Sequence, residues 1–437
     1  MARFARKGLM SALEEAEVVD QVPAQDPGNV EERLTEVIEN EIELQEEATS
    51  LEMLHLHLEE AVEEVSDGEE LVDTIEEVAS DENGEEEGLT EEEAVIAEES
   101  LRRIYRRLGI EHDKVLPSME SFRSTSSRKM ATRLAIEETR SKLMEVWERI
   151  IEAIQGLFKR IKAFFDRIVD GTVAMKKATQ ALMHRLEAAL SRFKKPVLEF
   201  EDERIAKQLP GRAPYSEEHF RKMLDAHLAQ VELTVKHAPS VASSVNTLVE
   251  QKELTEGAFK AAVMETAKNV GLMVAGTPVT ESQREVESKN VLYNKMVPRA
   301  ALEVEGSRYR LYATFGAEEM DQSAPKIVIR NLRHLKDLSK AWNTLIEATN
   351  KSRELVNTVE KEFNSVTDKI KQLVSGGEGG ELPTEVKAFF PGVYSNTLSY
   401  MSQLSMLNLR SVRLAHTFID RCIKEMDSEK EAKAQPA

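Results

Sequence analysis

Eleven apolar residues from Leu143 to Ile168 recur at steps of three and four: Leu143, Trp147, Ile150, Ile151, Ile154, Leu157, Phe158, Ile161, Phe164, Phe165 and Ile168. They trace one broad stripe over about seven helical turns, with Lys159, Arg160, Lys162 and Arg167 on the other faces. A helix with one apolar side has to bury it, so this segment demands a partner surface. The rest of the composition points the same way. Charged residues make up 31% of the 437-residue chain and aromatic residues only 5%, which suits long amphipathic helices better than a β-sandwich. The length prior allows two or three domains, and the fold class is read as mainly α.

After Gly171 the apolar pattern continues through Met175, Leu182, Leu186, Leu190 and Phe193 to Lys194-Lys195-Pro196. We read residues 121–196 as a basic amphipathic helical hairpin that turns at Gly171. The face made by Trp147, Ile150, Ile154, Phe158, Ile161 and Phe165 then packs against the second arm. Trp, Phe, Lys and Arg on one helix also suit a lipid headgroup layer, which leaves an interfacial membrane role open.

Charge divides the chain sharply. Residues 1–120 hold 9 Lys+Arg against 37 Asp+Glu, a net of −28, while residues 121–437 hold 49 against 42, a net of +7. Residues 121–196 alone carry 17 basic and 8 acidic side chains, a net of +9. The acidic part, 1–120, reads as a partly disordered segment with amphipathic helices. Val30, Leu34, Val37, Ile38, Ile42, Leu51, Leu54, Leu58 and Val62 predict an acidic helix or helix pair over about 29–66. Carboxylates are dense enough over 66–99 to resist collapse, and LRRIYRRLG predicts a short basic helix ending at Gly109. Ser and Thr around 121–127 compete for backbone hydrogen bonds, which predicts an extended, protease-accessible junction.

Residues 197–437 read as an α-rich body with a small β element near 300–330. Helical patterns return at about 215–238 and 240–271. Alternation of Leu302 and Val304, then Tyr309, Leu311 and Ala313, across Glu305-Gly306-Ser307 predicts a β-hairpin, with Ile327-Val328-Ile329 as a third strand. Long helices are expected over about 330–374 and 395–427, with a fraying tail.

No constellation for catalysis emerges. GLMVAGTP at 271–278 has the glycine spacing of a phosphate loop, but Thr277 stands where its Lys must be. His55 and His57, two apart on a helix, do not share a face for a metal, and the other histidines lack ligand spacing. Cys422 is the single cysteine, which excludes an intrachain disulfide and fits a reducing compartment. Neither a signal peptide nor a spanning helix is visible. The chain reads as a non-enzymatic, cofactor-free soluble protein made in a cytoplasm.

The string SMESFRSTSSRKMATRLAIE, followed by LMEVWERIIEAIQGLFKRIKAFFDRIV, resembles the internal head proteins of large contractile-tailed bacteriophages over about residues 115–170. That resemblance implies an acidic propeptide cut after a small-x-Glu site by the prohead protease during capsid maturation. Glu120 would then precede the scissile bond, Ser118 would be the small residue, Met119 the middle one, and Ser121 the new N-terminus. Ala135-Ile136-Glu137 and Ala301-Leu302-Glu303 fit the same pattern, but Glu120 alone sits at the charge boundary. The resemblance further implies a mature protein in the virion interior, beside packaged double-stranded DNA and other capsid interior proteins, and in some phages ejected into the host. Arg123, Arg128, Lys129, Arg133 and Arg140 are the candidate phosphate contacts, non-specific and salt-sensitive; solvated surface charge is their plainer reading. The competing function is a cytoplasmic helical scaffold or adaptor whose acidic helices bind a basic partner and stay in place.

Overall fold

The computed structural model describes residues 30–80, 88–110, 119–249, 255–306, 308–317, 325–375 and 384–434. Helix α1 spans Val30–Val78 and α2 spans Glu91–Arg107; a 3-10 turn at Met119–Phe122 leads into α3, Thr125–Arg192. Strand β1 (Leu198–Glu201), the short α4 (Glu203–Gln208), α5 (Glu217–Val249) and α6 (Glu256–Ala275) follow. Then come β2 (Glu285–Glu287), β3 (Met296–Glu305), β4 (Arg308–Ala317), β5 (Lys326–Ile329), α7 (His334–Ser375) and α8 (Thr384–Ala434). The chain is mainly α, as its periodicity predicts.

Local chemistry sets several of these boundaries. Thr90 and Glu93 form a capping box at α2: the Glu93 N–H donates to Thr90 Oγ1 at 3.4 Å, and the Thr90 N–H donates to Glu93 Oε2 at 2.8 Å. Glu91–Glu93 in its first turn and Arg106 and Arg107 in its last oppose the helix dipole. Ser124 caps α3, its Oγ accepting from the Ser127 N–H at 3.3 Å. The glycines of GLMVAGTP are structural. Gly276 ends α6 in the left-handed region at φ 67°. A Cβ on Gly271 would lie 2.5 Å from Val279 N, so the returning chain needs the bare backbone there.

The core is one large cluster built from α1, α3 and α5–α8 with the inner sides of the sheets. The whole α3 stripe from Leu143 to Ile168 is buried. On α1, Leu44, Leu51, Leu54, Leu58 and Val65 are buried in the same cluster as Trp147 and Phe158. Burying each such side chain favours docking by about 1.5–3 kcal/mol before chain entropy is counted. A smaller cluster joins the end of α1 (Val72, Ile75), α2 (Ala94, Ala97, Leu101, Tyr105), Phe122 and the start of α3 (Ala131, Ala135). The acidic helices therefore share apolar surface with the body.

The structure departs from the sequence reading in specific places. Residues 121–196 are not a hairpin: α3 is one continuous helix of 68 residues that runs through Gly171. A mid-helix glycine costs about 1 kcal/mol relative to alanine, and the buried residues on both sides of it, Phe165, Ile168, Met175 and Leu182, outweigh that. The face assigned to a second arm is instead covered by α1, α7 and α8. Trp147 meets Phe390 edge-on at 5.8 Å between centroids, and Phe158 meets Phe363 at 5.3 Å.

The junction at 121–127 is not extended either. Ser124 caps α3, which starts at Thr125, and Ser127 Oγ donates back to the Ser121 carbonyl. Of the helix or helix pair expected over about 29–66, the structure has a single helix, which reaches Val78. Helix also covers 91–99 of the acidic tract and continues into the expected basic helix as far as Arg107, and residues 81–87 lie outside the described ones. The expected break between 238 and 240 is absent, since α5 carries Pro239 within it. Helix α8 runs to Ala434, through most of the tail expected to fray. The hairpin of β3 and β4 is present, with Glu305 opposite Arg308 at its tip, but its third strand is β2. Strand β5 pairs antiparallel with β1 in a separate sheet, Leu198 opposite Ile329.

Candidate functional site

The interval between α2 and α3 holds the small-x-Glu site. Ser118 lies outside the described residues. Met119, Glu120 and Ser121 belong to the 3-10 turn, with Glu120 exposed, Ser121 half-buried and Phe122 buried in the smaller cluster. Ser127 Oγ donates to the Ser121 carbonyl at 2.7 Å, which ties the turn to the first turn of α3. The exposed Glu120 is thus followed directly by two anchors.

Among the candidate phosphate contacts, Arg123, Arg133 and Arg140 hold carboxylates. Arg123 Nε lies 3.1 Å from Glu91 Oε1 of α2. Arg140 lies 3.4 Å from Asp73 Oδ1 and 2.7 Å from Glu76 Oε2 of α1. Arg133 pairs one turn along its own helix with Glu137 at 3.3 Å. Arg128 is half-buried and Lys129 exposed, and neither is without an interacting partner.

Sequence reasoning missed further members of this set. Arg167 of α3 lies 3.2 Å from Glu47 of α1. On β4, Arg308 lies 2.7 Å from Asp67 and 2.7 Å from Glu70, and Arg310 lies 2.5 Å from Glu63. Carboxylates of residues 1–120 thus meet arginines of the body at Arg123, Arg140, Arg167, Arg308 and Arg310. The Asp67 and Glu70 carboxylates beside Arg308 hold its guanidinium firmly charged and raise its already high pKa. Part-exposed pairs of this kind contribute about 0–1 kcal/mol each. They place the acidic helices without being what holds them.

The stripe Trp147, Ile150, Ile154, Phe158, Ile161 and Phe165 is core, each residue buried. No described helix is long and apolar enough to cross a membrane. Nor do the described residues bring together three His, Cys, Asp or Glu side chains able to hold a metal ion. His55 is buried on α1 beside Glu59 at 3.5 Å, and burial lowers its pKa. Cys422 is buried, and burial pushes its thiol pKa well up.

The buried histidines serve packing. The Tyr293 N–H donates to His227 Nε2 at 2.8 Å, so Nδ1 carries the proton and donates to Asn408 Oδ1 at 2.7 Å. Full burial lowers the His227 pKa to about 4. His416 sits 2.8 Å from Thr179 Oγ1, and burial lowers its pKa to about 4 as well.

Residues 30–206 match the family model of phiKZ-like phage internal head proteins. The match supports an internal head protein of large phages. Its span opens on the first residue of α1 and closes within α4, so the head-protein likeness takes in the acidic helices, the Glu120 turn and all of α3. It is wider than the stretch over which the sequence motif was read. That likeness points to the interior of the phage head. No curated protein and no solved structure matches the chain.

Proposed function

We propose that this internal head protein is made with residues 1–120 as an acidic propeptide and is cut between Glu120 and Ser121 by the prohead protease. Residues 121–437 then stay in the head with the packaged genome. The observation that carries this reading is the set of ion pairs spanning that bond. Glu91, Asp73 and Glu76 on one side occupy Arg123 and Arg140 on the other. Those two arginines belong to the segment of net charge +9 expected to meet phosphates. While the carboxylates are in place, DNA has to displace them; once they leave, each guanidinium can neutralise a phosphate and release counterions. The exposure of Glu120 supports access by a protease. Passage into the host with the genome belongs to the same reading.

Mass spectrometry of the protein from purified particles tests it. The expected result is a chain beginning at Ser121. A chain that is intact through residue 120 in mature particles overturns the cleavage.

One observation favours a second reading. Leu44, Leu51, Leu54, Leu58 and Val65 are core residues, which suits a helix that is never discarded. On that reading the protein is a helical scaffold whose acidic helices are permanent, and intact chains in particles are its signature.

A further inference from the structure

The arginines of the β3–β4 hairpin suggest a second anion-binding surface, far in sequence from the cleavage turn. Arg308 and Arg310 are two residues apart on β4, so both project from one face of the strand, about 7 Å apart. Tyr309 and Leu311 project from the other; Leu311 is buried, and Tyr309 meets Phe259 edge-on at 5.6 Å. The two guanidiniums meet a row of carboxylates on α1, Glu63, Asp67 and Glu70, at helical steps of four and three. Arg308 engages Glu70 with both prongs, Nε to Oε1 at 2.7 Å and Nη2 to Oε2 at 2.7 Å.

This contact is ionic and loosely filled. A cavity of about 210 Å³ lies between α1, β4 and α8, and Glu63, Arg308, Arg310 and Asn396 line part of it. The apolar docking of α1 runs alongside, through Leu51, Leu54 and Leu58 in the cluster shared with α3 and α8, and Leu58 also borders the cavity. The carboxylate row meets the hairpin arginines at the edge of that cavity. A guanidinium fork accepts a phosphate by the same two-bond geometry as a carboxylate.

We propose that the Arg308–Arg310 face is a docking surface for the phosphate backbone of duplex DNA, and that Glu63, Asp67 and Glu70 stand in for that backbone in the uncut chain. This deepens the DNA association proposed above and does not depend on the cleavage. Recognition is of backbone charge and carries no base readout.

The test uses the full-length chain, because the body buries α1 in its core. Glu63→Gln, Asp67→Asn and Glu70→Gln together remove the α1 carboxylates, leave Glu303 and Glu305 of β3 opposite Arg310 and Arg308 unchanged, and keep the apolar side of α1 intact. Binding to a mixed-sequence duplex of about 30 base pairs is read by fluorescence anisotropy across a salt series. The triple variant is expected to bind about tenfold tighter than the wild type at low salt, with a log–log salt slope steeper by about two, one for each arginine. Adding Arg308→Ala and Arg310→Ala should remove the gain. A control with Glu203→Gln, Glu218→Gln and Glu265→Gln, which changes net charge equally, should gain nothing.

A gain that survives loss of both arginines, an equal gain in the control, or no gain overturns the proposal. So does poly-glutamate binding the triple variant as tightly as DNA, which would make the face a receptor for acidic protein. If the triple variant melts early, Glu70→Gln alone reads the same effect, with an expected gain of a few fold. Because every arm is uncut, a negative result here leaves the Ser121 terminus to be decided by mass spectrometry.

Discussion

Arg308 and Glu70 lie 238 positions apart in sequence and meet through two contacts of 2.7 Å each, a fork on a carboxylate. The pair ties a hairpin of the body to a helix of the acidic segment. Its stability effect should be small and ionic. Arg308→Ala and Glu70→Gln in a double-mutant cycle are expected to give a coupling of about 0.5–1 kcal/mol by chemical denaturation at low salt. Near 1 M salt, where screening acts within about 3 Å, the coupling should shrink. An unchanged coupling there would mean that the contact is not electrostatic.

Acid should weaken the fold through His227 and His416. Each has a native pKa of about 4 because burial disfavours the imidazolium. A depressed native pKa means that the unfolded chain takes up protons first as pH falls below about 6.5. Stability is then lost progressively from pH about 6.5 down to about 4, by roughly 3 kcal/mol for each histidine. Urea midpoints across that window should fall with pH in the wild type. In His227→Gln the fall should be about half as large, from a lower starting stability because Asn408 and the Tyr293 N–H lose a partner.

The α3 stripe should behave as core. Trp147→Ala and Phe158→Ala are expected to cost about 3–5 kcal/mol each, whereas Arg149→Ala on the exposed side should stay within about 0.5 kcal/mol. Thermal or denaturant melts read both. The covered stripe also predicts that the folded chain does not float with anionic liposomes. Flotation of the native protein would require the stripe to come out.

Replacing the residue before the proposed scissile bond should block processing without harming the fold. Glu120→Gln leaves an exposed side chain exposed, so its stability effect should be within about 0.5 kcal/mol. Particles carrying it should contain only uncut chain. Processing that continues at residue 120 would place the recognition elsewhere.

The parts of this fold legible in the sequence are those whose signal is local and repeated. The steps from Leu143 to Ile168 name a buried face, and all of those residues are buried. The alternation Leu302, Val304, Tyr309, Leu311 names the hairpin. A break at Gly171 is not legible either way, because a glycine has a small local cost, while residues far away on α1, α7 and α8 decide the continuity of α3. Strand β1, four residues long, is too short to show a period of its own. The arginine set was half legible. Arg123 and Arg140 stand in a basic segment next to the charge boundary, but Arg308 and Arg310 lie beyond it, and nothing nearby in sequence points to Glu63, Asp67 and Glu70. The one signal was their alternation with Tyr309 and Leu311, which marks a strand face left polar.

The apolar side of α1 has a consequence for any cut after Glu120. Hydrolysing one peptide bond does not remove Leu44, Leu51, Leu54, Leu58 and Val65 from the cluster they share with α3 and α8. It turns the acidic helices from a tethered segment into a separate subunit, and one gene product into a heterodimer. Tethering holds a partner at an effective concentration of order millimolar, whereas a severed one answers to dilution. Scission would thus hand control of the arginines to the crowding and salt of the compartment around them.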